Sequence, residues 1–300
     1  MCGIAGILST SLEPIAEVHL KKMIHAIAHR GPDGERVWSN NNQSVLLGHR
    51  RLSIIDLSEN AAQPMHYLNR YTIVHNGEIY NYIELKEFLT DKGYGFQSQS
   101  DTEVILAAYD FWKEECLKYF DGMFSFAIWD EKEQQLFAAR DRFGEKPFYY
   151  YEDDRYLIFA SEMKALWAAG VEKSIDEKMM LNYLTLGYVQ NAADKEQTFF
   201  NNIYSLPPAH YFKYKPSGHR LVVKKYWRLD KEIRIIITAE DAIEKFNELF
   251  TASVKRRLRS DVMVGTSLSG GLDSSSIVST IQELKTCCCL VVVPSITRTT

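Results

Sequence analysis

Residues 1–8 read MCGIAGIL, a cysteine directly behind the initiator methionine with glycines at positions 3 and 6 of a small apolar run. Two readings fit this stretch by itself. Cys2 is an inert thiol on an N-terminal β-strand, or it is the first residue of a processed chain, carrying a thiol and a free amine on one carbon skeleton. A thiol of ordinary pKa, about 8.5, is mostly protonated at neutral pH and needs a base. A terminal α-amine, ordinarily near roughly 7.7–8.0, has a large neutral fraction and supplies one. Small residues at positions 2 and 3 suit removal of Met1. The remainder of the chain has to choose.

Bulk properties narrow the field. Three hundred residues suggest two domains, or one domain and the beginning of another. A hydrophobic content of 46% with 25% charged residues is that of a globular chain with a sizeable core. The formal net charge of −4 gives no reason to expect nucleic acid or an anionic membrane as a partner. No apolar run is long enough for a membrane span. Glu13, Glu17 and Lys21 interrupt any signal-peptide profile, which leaves the cytoplasm as the expected compartment. The cysteines are Cys2, Cys116, Cys287, Cys288 and Cys289, an odd count at irregular spacing that argues against a disulfide framework. No CxxC spacing is present, and no metal site is expected.

Short β-like runs come early and often: CGIAGIL, SVLLG, YTIVHN, MFSFAIWD, QQLFAAR, KPFYYY and RYLIFAS. Between them Ile15, Val18, Met23, Ile24 and Ile27 recur near helical spacing, as do Val104, Ile105, Ala108, Phe111 and Trp112. Strands and helices mix without regular βαβ alternation, which predicts an α+β layered domain with mainly antiparallel pairing. Loop formers then cluster around Pro207, Pro208 and Pro216. Beyond them ITAEDAIEKFNELFTASVKRRL reads as a long amphipathic helix with Thr238 as its N-cap. The strand-like VMVGTSL, the turn SGG and the helical DSSSIVSTIQELK follow, the opening of an α/β nucleotide-binding domain. The tail TCCCLVVVPSITRTT fits nothing before it and reads as a truncation or frameshift, with Cys287–Cys289 in place of the strand expected there.

Several constellations join Cys2: HRGPDG (29–34), HRRLSIID (49–56), NGEIYN (76–81) and SDTEVILAAY (100–109). The set resembles a class II glutamine amidotransferase domain of the N-terminal-nucleophile kind. RDRFGEKPFYY (140–150), SEMKAL (161–166) and SLPPAHY (205–211) narrow the resemblance to the asparagine synthetase family, across essentially residues 1–285. It implies a four-layer αββα sandwich followed by the beginning of an α/β ATP-pyrophosphatase domain. The implied domains are a glutaminase at 1–205, a linker at 206–236 and an N-terminal synthetase fragment at 237–300. Cys2 would be the nucleophile, with Asn76 and Gly77 supplying side-chain and backbone donors to an oxyanion. Read without Cys2, Asn76-Gly77 would be a hairpin turn. The glutamine site would use Arg51 for the α-carboxylate, Glu78 and Asp101 for the ammonium, and Ile54 and Gly77 beside them. Arg30 and Asp33 would hold a loop over the pocket. His25, His29, His49 and His75 read as ordinary imidazoles.

SLSGGLDSSS (267–276) lacks the lysine of a Walker A loop and resembles the SGGxDS pyrophosphate loop. Its glycines and the following helix N-terminus suit a phosphate. Ser269, Gly270, Gly271, Ser274 and Ser275 would cradle ATP, with Asp273 near Mg2+ or nucleotide and Leu268 beside the adenine. The resemblance implies glutamine, aspartate and ATP as small-molecule partners, and ATP with Mg2+ for the synthetase half. The glutaminase half needs no cofactor, and a homodimer is compatible with the resemblance. Ala209 stands where the family commonly has glycine. The family's later synthetase elements are not visible, so the chain as written is expected to hydrolyse glutamine without making asparagine. The competing readings are an amidotransferase with a different carboxylate acceptor and a non-catalytic remnant.

Overall fold

Apolar runs such as FSFAIWD and QLFAA have no polar face, which is the pattern of strands covered on both sides. A computed structural model describes residues 1–216, 218, 221–284 and 289–292 and shows what covers them. The chain divides into two units, the first comprising Met1–Ser53 and Ser58–Arg228, the second Ile54–Leu57 and Leu229–Thr300.

In the first unit the elements run β1 (Gly3–Ser9), α1 (Glu17–Ala26), β2 (Gly34–Ser39), β3 (Val45–Arg51), β4 (Met65–Tyr67) and β5 (Tyr71–Ile79). Then come α2 (Tyr82–Asp91), α3 (Asp101–Trp112), β6 (Gly122–Asp130), β7 (Gln135–Arg140), β8 (Tyr149–Glu152) and β9 (Tyr156–Ala160). The unit ends with α4 (Met163–Ala168), α5 (Glu177–Leu186), β10 (Tyr204–Ser205), β11 (His210–Tyr214) and β12 (Val222–Lys225). Two six-stranded sheets result, ordered β10-β8-β9-β1-β3-β2 and β12-β11-β7-β6-β5-β4. Every pairing in them is antiparallel.

Alternation along the strands assigns three cores. Ile4 and Leu8 of β1 meet Ala127 and Trp129 of β6 and Leu136 and Ala138 of β7 between the sheets. Ala5 and Ile7, one residue out of phase, pack with Leu20, Met23 and Ile24 of α1 and Leu166 of α4. Phe124, Phe126 and Ile128 turn the other way, against Leu85 and Leu89 of α2 and Val104–Ala108 of α3. The order is helices, sheet, sheet, helices: an αββα sandwich, as the resemblance implied. Burying one such Phe or Leu side chain is worth about 1.5–3 kcal/mol, so layers apolar on both faces hold the sandwich together.

Residues 206–228 do more than connect. β11 pairs with β7 and β12 with β11, extending the second sheet, and the division between units falls after Arg228.

In the second unit α6 (Ala239–Arg257) starts where its cap foretold, Thr238 Oγ1 accepting from Asp241 N at 3.1 Å. β13 (Val264–Ser267), α7 (Leu272–Glu283) and β14 (Cys289–Val292) follow. β14 pairs parallel with β13, Val264 opposite Cys289 and Ser267 opposite Val292. This corrects the expectation for the tail: the strand thought to be replaced is present, because the β-branched Val291 and Val292 suit a pleated surface. Cys287 and Cys288 lie outside the described residues. Among the described residues no helix is long and apolar enough to cross a membrane.

Candidate active site

The antiparallel register of β1 and β3 sets Gly3 opposite Arg50, which brings Cys2 to the residues that follow β3. Cys2 Sγ lies 3.4 Å from Leu52 N and 3.5 Å from Leu52 O. The HRGPDG segment holds both sides of this junction. Arg30 Nε donates to Cys2 O at 2.8 Å while its Nη1 meets Glu162 at 2.9 Å. Asp33 Oδ2 accepts from Ser53 N at 2.8 Å, and Asp33 N donates to Arg51 O at 3.0 Å. Arg51 Nη1 donates to Ser58 O at 2.8 Å.

The end of β5 carries the next residues of the set. Asn76 and Gly77 sit inside the β5–β6 ladder, opposite Ser125 and Phe124, so the hairpin-turn reading is overturned. Gly77 has φ +151°, and a Cβ there would lie 2.1 Å from Met123 O, so no side chain fits. Asn76 is 1% exposed, and neither its Nδ2 nor its Oδ1 has a partner. An orphaned amide of this kind costs on the order of 1–3 kcal/mol and calls for an explanation.

Asp101 opens α3, where Ser100 Oγ caps the helix by accepting from Thr102 N at 3.1 Å. Its Oδ2 accepts from Ile79 N at 2.8 Å. Burial pushes the Asp101 carboxyl up to about 7, against the pull of the Ile79 and Thr102 amides and with a further push from the Glu78 charge. Burial also raises Glu78, and the Lys146 ammonium opposes that rise. The Cys2 thiol is raised by burial, lowered by the Leu52 amide, the terminal amine and Arg51, and raised by Asp101. These mutual fields place Cys2, Arg51, Asp101, Glu78 and Lys146 in one neighbourhood of the first unit. Ile54 falls in the 54–57 segment, which groups with the second unit.

The residues Leu268–Ser275 lie in the second unit, between β13 and the first turn of α7. Gly271 caps α7, and Ser275 N donates to its carbonyl at 3.1 Å. Ser269 Oγ and Ser274 Oγ are 3.0 Å apart, and Ser274 Oγ also donates to Gly271 O at 3.1 Å. Gly270 has φ +82° with no atom within 4 Å of a would-be Cβ, which leaves the backbone open to an incoming group. Asp273 stands in the first turn of α7.

Sequence reasoning passed over Lys146 and a buried network behind β5. His49 Nε2 contacts His75 O at 3.0 Å, His75 Nδ1 contacts Thr102 Oγ1 at 3.1 Å, and Gln63 Oε1 accepts from His75 N at 2.6 Å. Burial lowers both imidazoles to about 3, so they are neutral. Neither shows ligand spacing, and only the fold reveals their company.

A glutamine amidotransferase domain model matches residues 1–227. The chain belongs to the glutamine amidotransferase family. A second family model, asparagine synthase, matches residues 245–297 and so runs through β14. Among curated proteins, glutamine-hydrolysing asparagine synthetase 3 of Bacillus subtilis (strain 168) is 37% identical over 93% of this chain and 45% of its own length. Asparagine synthetase 1 of the same organism is 39% identical over 94% of this chain and 44% of its own. The chain thus spans about half the length of these relatives. The glutamine phosphoribosylpyrophosphate amidotransferase of B. subtilis, solved with ADP and GMP, superposes with a TM-score of 0.57 at 15% identity, over 98% of this chain and 65% of that one. This likeness speaks for the N-terminal-nucleophile fold alone.

Proposed function

We propose that this amidotransferase hydrolyses glutamine through Cys2 and that its ammonia serves the synthesis of asparagine. The observation that carries the first half is Asn76: a buried side-chain amide without a partner, next to a glycine whose N–H no side chain can shield. Such donors are preorganised for charge that develops only during reaction. With Met1 removed, the α-amine of Cys2 takes the thiol proton and Sγ adds to the side-chain carbonyl carbon of glutamine. The resulting oxyanion accepts from Asn76 Nδ2 and Gly77 N. Collapse breaks the C–N bond, the amine's proton leaves with ammonia, and water hydrolyses the thioester to glutamate. Arg51 pairs with the α-carboxylate, and Asp101 with Glu78 pairs with the ammonium. An Asp101 carboxyl held near 7 ionises readily when that cation arrives.

The asparagine synthase match at 245–297 and the two synthetase relatives support the second half. Residues to about 228 are proposed as the glutaminase and those from about 237 as part of the synthetase. The open backbone at Gly270 and the capped start of α7 fit a pyrophosphate, and Leu268, Ser269, Gly271, Ser274 and Ser275 complete the proposed ATP loop. Asp273 would hold Mg2+ beside the nucleotide. ATP would activate the aspartate β-carboxylate as an acyl-adenylate with release of pyrophosphate, and ammonia would then displace AMP to leave the amide. A cytoplasmic setting is proposed on the free thiols of Cys2 and Cys116, and a homodimer on the family resemblance.

Glutamate release from glutamine by the wild type and by Cys2→Ala, with intact mass showing whether Met1 is removed, is the test. Loss of release in the variant is expected. Equal release in both overturns the proposal.

A further inference from the structure

The stretch RDRFGEKPFYY has no part in the chemistry above, yet its turn is clamped at both ends. Asp141 is fully buried, and its carboxylate accepts from Phe143 N, Glu145 N and Lys146 N, each at 3.0 Å, and from Phe124 N at 3.3 Å. Arg140 reaches over the same turn, donating to Lys146 O at 2.6 Å, Gly144 O at 2.8 Å and Leu206 O at 2.7 Å. The clamp presents one side chain. Lys146 is 5% exposed, and its Nζ lies 3.0 Å from Met1 Sδ. Among the described residues that ammonium makes no ion pair, although a buried cation without one is costly.

The groups facing it are known. Glu78, Glu145, Arg30 and Cys2 act on Lys146, and Cys2, Arg30, Lys146 and Asp33 act on the amino terminus. Burial chiefly favours the neutral form of the Met1 amine, with Arg30 and Lys146 adding to it and Cys2 and Asp33 opposing. Removal of Met1 deletes the sulfur that Nζ contacts and leaves the α-amine of Cys2 as the chain end.

We propose that Lys146 is a positioning residue for the nucleophile: the Arg140–Asp141 clamp holds its ammonium at the processed terminus as a fixed positive charge while the thiol proton moves to the α-amine. This rests on the reading of Cys2 as a terminal nucleophile. In the step the S–H bond breaks, an N–H bond forms, and the electron pair stays on sulfur. The fixed charge favours the sulfur anion that results and opposes the ammonium formed with it, so its service is to the thiolate.

The test follows Cys2 alkylation by iodoacetamide, read by peptide mass, and glutamate release at saturating glutamine, both from pH 6 to pH 10. The processed chain, beginning at Cys2, is compared with Lys146→Arg and with two neutral variants, Lys146→Met and Lys146→Gln, which guard against a folding failure in either. The neutral variants should alkylate at least about three-fold more slowly than wild type at pH 7 and converge with it near pH 10, as expected when an adjacent cation is lost. Lys146→Arg should stay within about two-fold throughout, since its charge is kept. Neutral variants that match the wild type, or that are slower by one factor at every pH, overturn the proposal. Cys2→Ala separates the two readings. If it still releases glutamate, the nucleophile reading falls; if it is inactive while the Lys146 variants keep the wild-type pH dependence, only the role of Lys146 falls.

Discussion

Ile79 N, at the end of β5, donates to Asp101 Oδ2, at the start of α3, over 2.8 Å. This bond fastens the helix to the sheet beside the proposed glutamine site, and it holds a carboxyl that burial has made a weak acid.

The carboxyl has a consequence for stability. Asp101 is raised from 3.8 to about 7 in the fold, so the folded state keeps its proton when the unfolded chain has released it. Stability is therefore lost as pH rises from about 4 to about 7 and is level above that, reaching a cost of about 4 kcal/mol at pH 8. Asp101→Asn mimics the protonated acid. In urea titrations its stability advantage over wild type should widen by about 3 kcal/mol between pH 5 and pH 8. Its KM for glutamine should rise at least about 30-fold, because the substrate ammonium loses a buried partner. Stabilities that run parallel across this pH range would sink the argument.

Asn76 sets activity against stability. Its amide is buried and unpartnered, so Asn76→Leu, which keeps the shape and removes the polar atoms, should raise stability by about 1–2 kcal/mol. The same change removes an oxyanion donor and should lower kcat for glutamate release by about 10²–10³-fold with little change in KM. A variant that loses stability and activity together would mean the amide is structural.

Much of this was legible beforehand, for physical reasons that differ by element. FSFAIWD and QLFAA are apolar on both faces and could only be strands covered twice, which is half of the sandwich. Thr238 announced α6 because a cap is local chemistry. HYFKY was hidden by the prolines around it, and its burial as β11 depends on β7, roughly 70 residues away in sequence, as the pairing of Phe212 with Ala138 shows. The strand at Cys289–Val292 was obscured by three cysteines, although its β-branched residues carried the signal. Lys146 could not be read at all. A lysine in a turn looks solvated, and its burial arises only when that turn meets a terminus 145 residues earlier.

Gly77 and Gly93 allow clash to be separated from strain. Both have positive φ, +151° and +92°, yet a Cβ on Gly93 meets nothing within 4 Å, whereas on Gly77 it meets Met123 O at 2.1 Å and Phe124 Cα at 2.6 Å. Gly93→Ala should therefore cost only the backbone term, about 1 kcal/mol. Gly77→Ala must in addition push β6 away from β5, for a total of about 3 kcal/mol or more, and it displaces the amide proposed to meet the oxyanion. Urea midpoints of the two variants, read with glutamate release, check this. Gly93→Ala should keep full activity, and Gly77→Ala should lose it even at denaturant-free temperatures where it remains folded. Equal costs for the two substitutions would show that the β5–β6 ladder can yield at position 77, and the amide there would then be no fixed donor.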